Sequence, residues 1–274
     1  MIASLHRILR LCEKACRLAL YSCAGCDRAY VQRQGCCFKL KKPDISSFQL
    51  KMIAIITMLI DHTGAMLFPQ HLFLRIIGRI AFPIFAFMIV EGYTHTRNVY
   101  KYMGRLAIFA VISEIPYNML SSFRWIVWSN RNIFFTLLIG LITIHLIHTL
   151  KIHFAFRLLI GLSGMVLAEL LGTDYGALGV ITILLFYMFR TEKARALLFV
   201  ALLHVFSGLE LTARGGYIPI QSFAALSVIF IAFYHGRKGP SLKYAFYLFY
   251  PAHITILTLF KYYSRHPLPF RLPF

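Results

Sequence analysis

Residues 52–68 read MIAIITMLIDHTGAMLF. A run of about 17–25 mostly apolar residues is long enough to cross a bilayer as a helix, and this one carries an Asp-His pair, Asp61-His62, in its interior. At ~1.5 Å per helical residue, His62 lies roughly 16 Å beyond Lys51 along the axis. That depth is near the midplane of a hydrocarbon core about 30 Å thick. Ionisable groups so deep are costly, and by default they mark a functional site facing the protein interior or a wet cavity. Histidine is also the side chain best suited to exchange a proton near neutral pH.

The rest of the chain has the same character. Its 274 residues are 59% apolar and 14% charged, with a mean hydropathy of +0.68. Soluble chains average about 25% charged. The reading is an all-α, polytopic helical membrane protein with about nine transmembrane helices, at roughly 52–69, 72–92, 103–120, 132–150, 154–171, 174–190, 195–211, 216–234 and 244–262. A β-barrel is disfavoured because the apolar runs are continuous rather than alternating.

The formal charge of +19 falls in short blocks between apolar runs. That pattern fits cytoplasmic loops against anionic lipid rather than nucleic acid, which is not expected as a partner. Arg97, Lys101 and Arg105 follow the second span, Arg190, Lys193 and Arg195 the sixth, and Arg237, Lys238 and Lys243 the eighth. The alternate connections are poorer in basic residues. The positive-inside rule therefore puts the N-terminus in the cytoplasm. With nine spans the C-terminus is outside, although Lys261, Arg265 and Arg271 run against that parity.

Residues 1–47 form a basic, Cys-containing N-terminal extension, read as disordered or peripheral, and residues 48–274 form the membrane domain. The extension holds all six cysteines, Cys12, Cys16, Cys23, Cys26, Cys36 and Cys37. Cys23 and Cys26 have ligand-like spacing, but a second C-x-x-C is missing, so no metal is expected. A start site downstream, for instance at Met52, is also open.

From about Phe48 the chain resembles the TraX family. The resemblance rests on residues 50–64 (LKMIAIITMLIDHTG) and 74–87 (LRIIGRIAFPIFAF). It continues through 91–97 (EGYTHTR), 112–117 (ISEIPY) and 132–136 (NIFFT). Later matches are 174–179 (DYGALG), 221–223 (QSF) and 247–253 (YLFYPAH). The family is named for acetylation of a conjugative pilin's N-terminus. It looks related to the acyltransferase-3 and heparan-glucosaminide acetyltransferase group, where a basic residue precedes a histidine with the spacing of Lys51 and His62.

The resemblance implies an acyltransferase of the bacterial inner membrane. Acetyl-CoA would be the acyl donor, and an envelope protein, polysaccharide or lipid would supply the acceptor amine or hydroxyl. His62 is the candidate base or transient acyl carrier, since transfer to an amine or hydroxyl removes a proton. Lys51 lies three turns earlier on nearly the same helical face, where it would receive CoA phosphates. Asp61 points about 100° away from His62 on a helix and is expected to meet Arg79. Glu114 is expected either to orient His62 or to pair with Arg79.

The candidate site is therefore His62, Asp61 and Glu114 for catalysis, and Lys51, Arg79 and Arg97 for the donor. Arg75, Tyr250 and His253 are assigned to the acceptor. Pro83 is expected to kink the second span. Two other functions remain open. In a proton-coupled transporter, Asp61, Arg79, Glu114, Glu169, Glu210 and His253 would line an ion route. The third reading is a non-enzymatic membrane assembly factor.

Overall fold

Ser46 starts the first described helix of the computed structural model, in which residues 44–122, 131–150, 152–215, 219–240 and 243–265 are described. Its hydroxyl accepts from the Gln49 amide while the Gln49 side chain accepts from the Ser46 amide. This reciprocal box satisfies two amide donors that the first turn leaves without partners. The helix, α1, runs Ser47–Met66. α2 (Leu72–Gly78) and α3 (Ala81–His95) follow, then α4 (Val99–Ser122), α5 (Ile133–Thr149), α6 (Phe154–Leu170) and α7 (Gly176–Met188). α8 (Lys193–Gly215), a 3-10 turn (Ile220–Leu226), α9 (Ser227–Ala232) and α10 (Lys243–Arg265) complete the order.

The described residues are all-α, with two isolated bridges, Ile45 to Tyr234 and Arg131 to Thr173. Taking Leu72–His95 and Ile220–Ala232 as continuous runs, nine helical runs match the nine expected spans to within a few residues. Leu72–His95 is the one helix among them that is long and apolar enough by itself to cross a membrane. The six cysteines lie outside the described residues.

The second run breaks earlier than expected. The regular helical hydrogen-bond ladder is interrupted at Arg79 and Ile80, which keep right-handed helical dihedrals, four and three residues before Pro83. A proline cannot donate to the carbonyl four residues back, and its ring clashes with that carbonyl. Here that carbonyl belongs to Arg79, so the break falls there and Pro83 takes its place in the first turn of α3, where a missing amide proton costs little.

Adjacent helices alternate direction, which gathers their ends. At one end, Ile45 N donates to the Phe233 carbonyl (2.9 Å) and Ser47 N to the Arg237 carbonyl (2.6 Å). There Tyr234 OH donates to Glu91 (2.7 Å), and Lys193 Nζ donates to the carbonyls of Ala232 and Tyr234. This end carries Lys51, Arg97, Lys101, Arg105, Lys193 and Lys238, and we term it the basic end. At the far end Arg131 and Asp174 exchange backbone bonds with Gly172 and Arg131 (2.9 Å each).

α3 is the central helix, burying Phe82, Ile84, Ala86, Ile89 and Val90. The periphery is apolar as well. On α6, Phe154, Phe156, Leu158, Leu159 and Leu170 are exposed, and Ile108, Val111, Phe206, Ile256 and Phe260 continue the pattern on α4, α8 and α10. Asp61, Glu114, Asn132, Thr136, His204 and His253 are buried instead.

Candidate active site

α1 and α10 bring two histidines together across 191 residues of sequence. His62 Nδ1 lies 2.8 Å from His253 Nε2, with the rings stacked at 5.0 Å and 18°. The other nitrogen of His253, Nδ1, lies 2.7 Å from the carbonyl of Phe249, one turn earlier in α10. Tyr250 stands edge-on to both rings, at 6.1 Å from His62 and 5.6 Å from His253. Pro251 lies inside the same helix. His62 keeps partial access to solvent, whereas His253 is buried.

Asp61 turns away from this pair, as the helical offset requires. Its Oδ2 meets Arg79 Nη2 at 2.6 Å and Arg75 Nη1 at 2.8 Å. Arg75 and Arg79 are one helical turn apart and present their guanidiniums to the same oxygen. The expected Asp61–Arg79 pair is present, with Arg75 as a second cation. Gly78 makes the approach possible, since a Cβ there would overlap Asp61 Cβ and Oδ1.

Glu114 lies on neither His62 nor Arg79. Its carboxylate accepts from Arg131 Nη1 (2.6 Å) and Asn132 Nδ2 (2.8 Å). Asn132 also caps α5, accepting from the Phe134 amide (3.1 Å), and donates to the Ala110 carbonyl (2.7 Å). The carboxylate therefore ties α4 to the start of α5, and the assignment of Glu114 as orienter of His62 or partner of Arg79 is corrected. Near the far end Asp174 accepts from Tyr117 OH at 3.3 Å, and Phe82 stacks on Tyr175 at 3.7 Å.

A cavity of about 370 Å³ enters the bundle from the basic end. Lys51, Arg105 and Lys238 line its mouth together with Glu91 and His95. Arg105 Nε is buried there without a hydrogen-bond partner. Deeper, the lining is apolar and aromatic, and includes Met58, Phe134 and Tyr250. Met58 is one helical turn before His62, and Tyr250 contacts both the cavity and the histidine pair.

Lys51 and Tyr250 thus line one cavity, and His62 and His253, which are not part of its lining, adjoin it through Tyr250. Arg75, Arg79 and Asp61 form a separate charged group beyond the histidines. Arg97 is exposed on the loop after α3 and does not line the cavity; Arg79, assigned to the donor, sits on Asp61 instead. Lys238 and Phe134 were missed as site residues. Lys238 is nearly two hundred residues from Lys51, and only the bonds of the 233–238 loop to the start of α1 bring the two together. Phe134 was within a quoted motif, but nothing in its pattern distinguishes a cavity wall from core.

A family model described as "TraX protein" matches residues 46–261. The chain belongs to the TraX family. A similar protein is the "Probable fimbrial assembly protein FimC, serogroup H1" of Dichelobacter nodosus, 33% identical over 238 residues, or 78% of this chain and 95% of that one. An "Uncharacterized protein RP591" of Rickettsia prowazekii (strain Madrid E) is 46% identical over 67 residues, about a quarter of each chain. No solved structure matches. The family match contains every described site residue from Lys51 to His253.

Proposed function

We propose that this TraX-family chain is an integral-membrane acyltransferase that moves an acetyl group from acetyl-CoA to an amine or hydroxyl of an envelope-associated acceptor. The observation that carries the reading is the cavity leading from a cationic mouth to the tyrosine that touches the His62–His253 pair.

A bilayer accounts for the distribution of side chains. Soluble monomers rarely expose contiguous apolar patches beyond a few hundred Å², yet here apolar residues cover α6 and parts of α4, α8 and α10 while charged groups lie inside. In lipid that arrangement carries no penalty, and ionisable groups face the bundle interior. The concentration of lysine and arginine at one end supports assigning that end to the cytoplasmic side of a bacterial inner membrane.

The donor then binds from the cytoplasm. Lys51, Arg105 and Lys238 suit phosphate groups, and the buried Arg105 Nε supplies a donor lacking a protein partner. The apolar passage past Met58 and Phe134 takes the thioester arm toward His62. As the acceptor's nitrogen or oxygen attacks the acyl carbon, its proton passes to the His62 imidazole. The new N–C or O–C bond forms, the C–S bond breaks, and the thiolate leaves and takes the proton as CoA thiol. General-base assistance of this kind contributes roughly 10²–10⁴ in rate.

The name of the Dichelobacter relative favours a second reading, a membrane assembly factor in which the cavity binds a ligand without turnover. The two are separated by thiol release. The purified full-length protein in lipid, given acetyl-CoA and an envelope fraction as acceptor source, is expected to release CoA thiol and label the acceptor. CoA binding without thiol release supports the assembly reading, and absence of both overturns the acyltransferase.

A further inference from the structure

The His62–His253 contact holds more information than proximity, because a backbone carbonyl can only accept a hydrogen bond. His253 Nδ1 lies 2.7 Å from the Phe249 carbonyl, so Nδ1 must carry a proton. In a neutral imidazole the second nitrogen is then an acceptor. That nitrogen is Nε2, 2.8 Å from His62 Nδ1. His62 Nδ1 must therefore be the donor, which leaves the lone pair on His62 Nε2.

We propose that His253 is a positioning residue: through the Phe249 carbonyl it holds His62 in the Nδ1–H tautomer, with Nε2 free as the base. The inference rests on the acyltransferase reading for its use, although the tautomer itself does not depend on any activity. It replaces the assignment of His253 to the acceptor.

Arg75 and Arg79 both pair with Asp61, the residue before His62, so a protonated His62–His253 pair would add positive charge near two guanidiniums that share one carboxylate. Tyr250 stands edge-on to both rings and carries no full charge in its ordinary phenol form. When His62 Nε2 takes the acceptor's proton, the resulting imidazolium already has its Nδ1–H on the His253 lone pair. The new charge is therefore met by an existing acceptor rather than by a reorganising solvent.

The test is solid-state nuclear magnetic resonance on the full-length protein in bilayers with ¹⁵N-labelled histidine, the His62 signals being assigned by their loss in His62→Ala. The wild type is expected to show protonated Nδ1 and unprotonated Nε2 at His62. His253→Leu is expected to abolish that preference, and His253→Gln, whose Oε1 can accept the same bond, to restore it. A His62 ring protonated at Nε2 in the wild type overturns the proposal, as does an unchanged tautomer in a folded His253→Leu. Should both variants fail to fold, the wild-type spectrum alone decides. Thiol release is measured separately, so inactive protein with the expected tautomer refutes the acyltransferase and not the assignment of His253.

Discussion

The Asp61 carboxylate occupies the space that a side chain at position 78 would fill. Gly78 lets α2 press against α1 at the level of the buried ion pair, and an alanine Cβ would overlap Asp61 Cβ and Oδ1. Gly78→Ala must push the carboxylate off Arg79 or separate the helices. Overpacking of this kind costs about 1–3 kcal/mol. The variant is expected to lose thermal stability in detergent; an unchanged melting temperature would show that α2 moves aside freely.

Asp61 serves two guanidiniums, Arg75 and Arg79, while turned away from His62. Its role is to hold the break between α2 and α3 against α1. Asp61→Asn leaves both cations without their carboxylate, and removing one partner of a buried pair costs about 3–5 kcal/mol. Adding Arg79→Met to that variant is expected to recover part of the loss, giving a measurable coupling in a double-mutant cycle. Additive losses in denaturation experiments would mean that the two residues do not act as a pair.

The cationic mouth makes a third expectation separable from stability. Arg105→Gln and Lys238→Gln each remove a charge from the cavity entrance, and a hydrogen bond to a charged group is worth about 1.5–3 kcal/mol. That is at least about tenfold in affinity. CoA affinity should fall and KM for acetyl-CoA rise accordingly with kcat retained, and the difference from wild type should shrink as ionic strength rises, because salt screens the charge that the variant lacks. Arg97→Gln, which leaves the cavity lining intact, is expected to bind as the wild type does. Equal CoA affinity across all three variants would place the donor elsewhere.

Glu114 gives a fourth. Its carboxylate joins Arg131 and Asn132, the residue that caps α5. Glu114→Gln is expected to lower stability through the lost ion pair while leaving the pH dependence of thiol release where the wild type has it. A displaced pH profile would return Glu114 to the chemistry.

The helical plan was legible because apolar runs and turn signals recur along the whole chain. The nine runs found coincide with those expected, and the offset between Asp61 and His62 followed from helix geometry alone. Pairings between distant segments were not legible. A buried glutamate needs a cation, but the choice between Arg79 and Arg131 depends on how α4 packs against α5. His253 was visible as a second buried histidine, yet its distance from His62 depends on α10 lying beside α1. The break at Arg79 could have been placed from Pro83 by counting four residues back, and the presence of a second arginine one turn earlier was the available hint that both meet one carboxylate.

The most direct measurement compares wild type with His62→Ala for release of CoA thiol from radiolabelled acetyl-CoA, with CoA binding measured on the same preparations. The account requires thiol release in the wild type, its reduction by roughly 10²–10⁴ in the variant, and CoA binding retained in both, since His62 does not line the cavity mouth. Undiminished turnover in His62→Ala would contradict it.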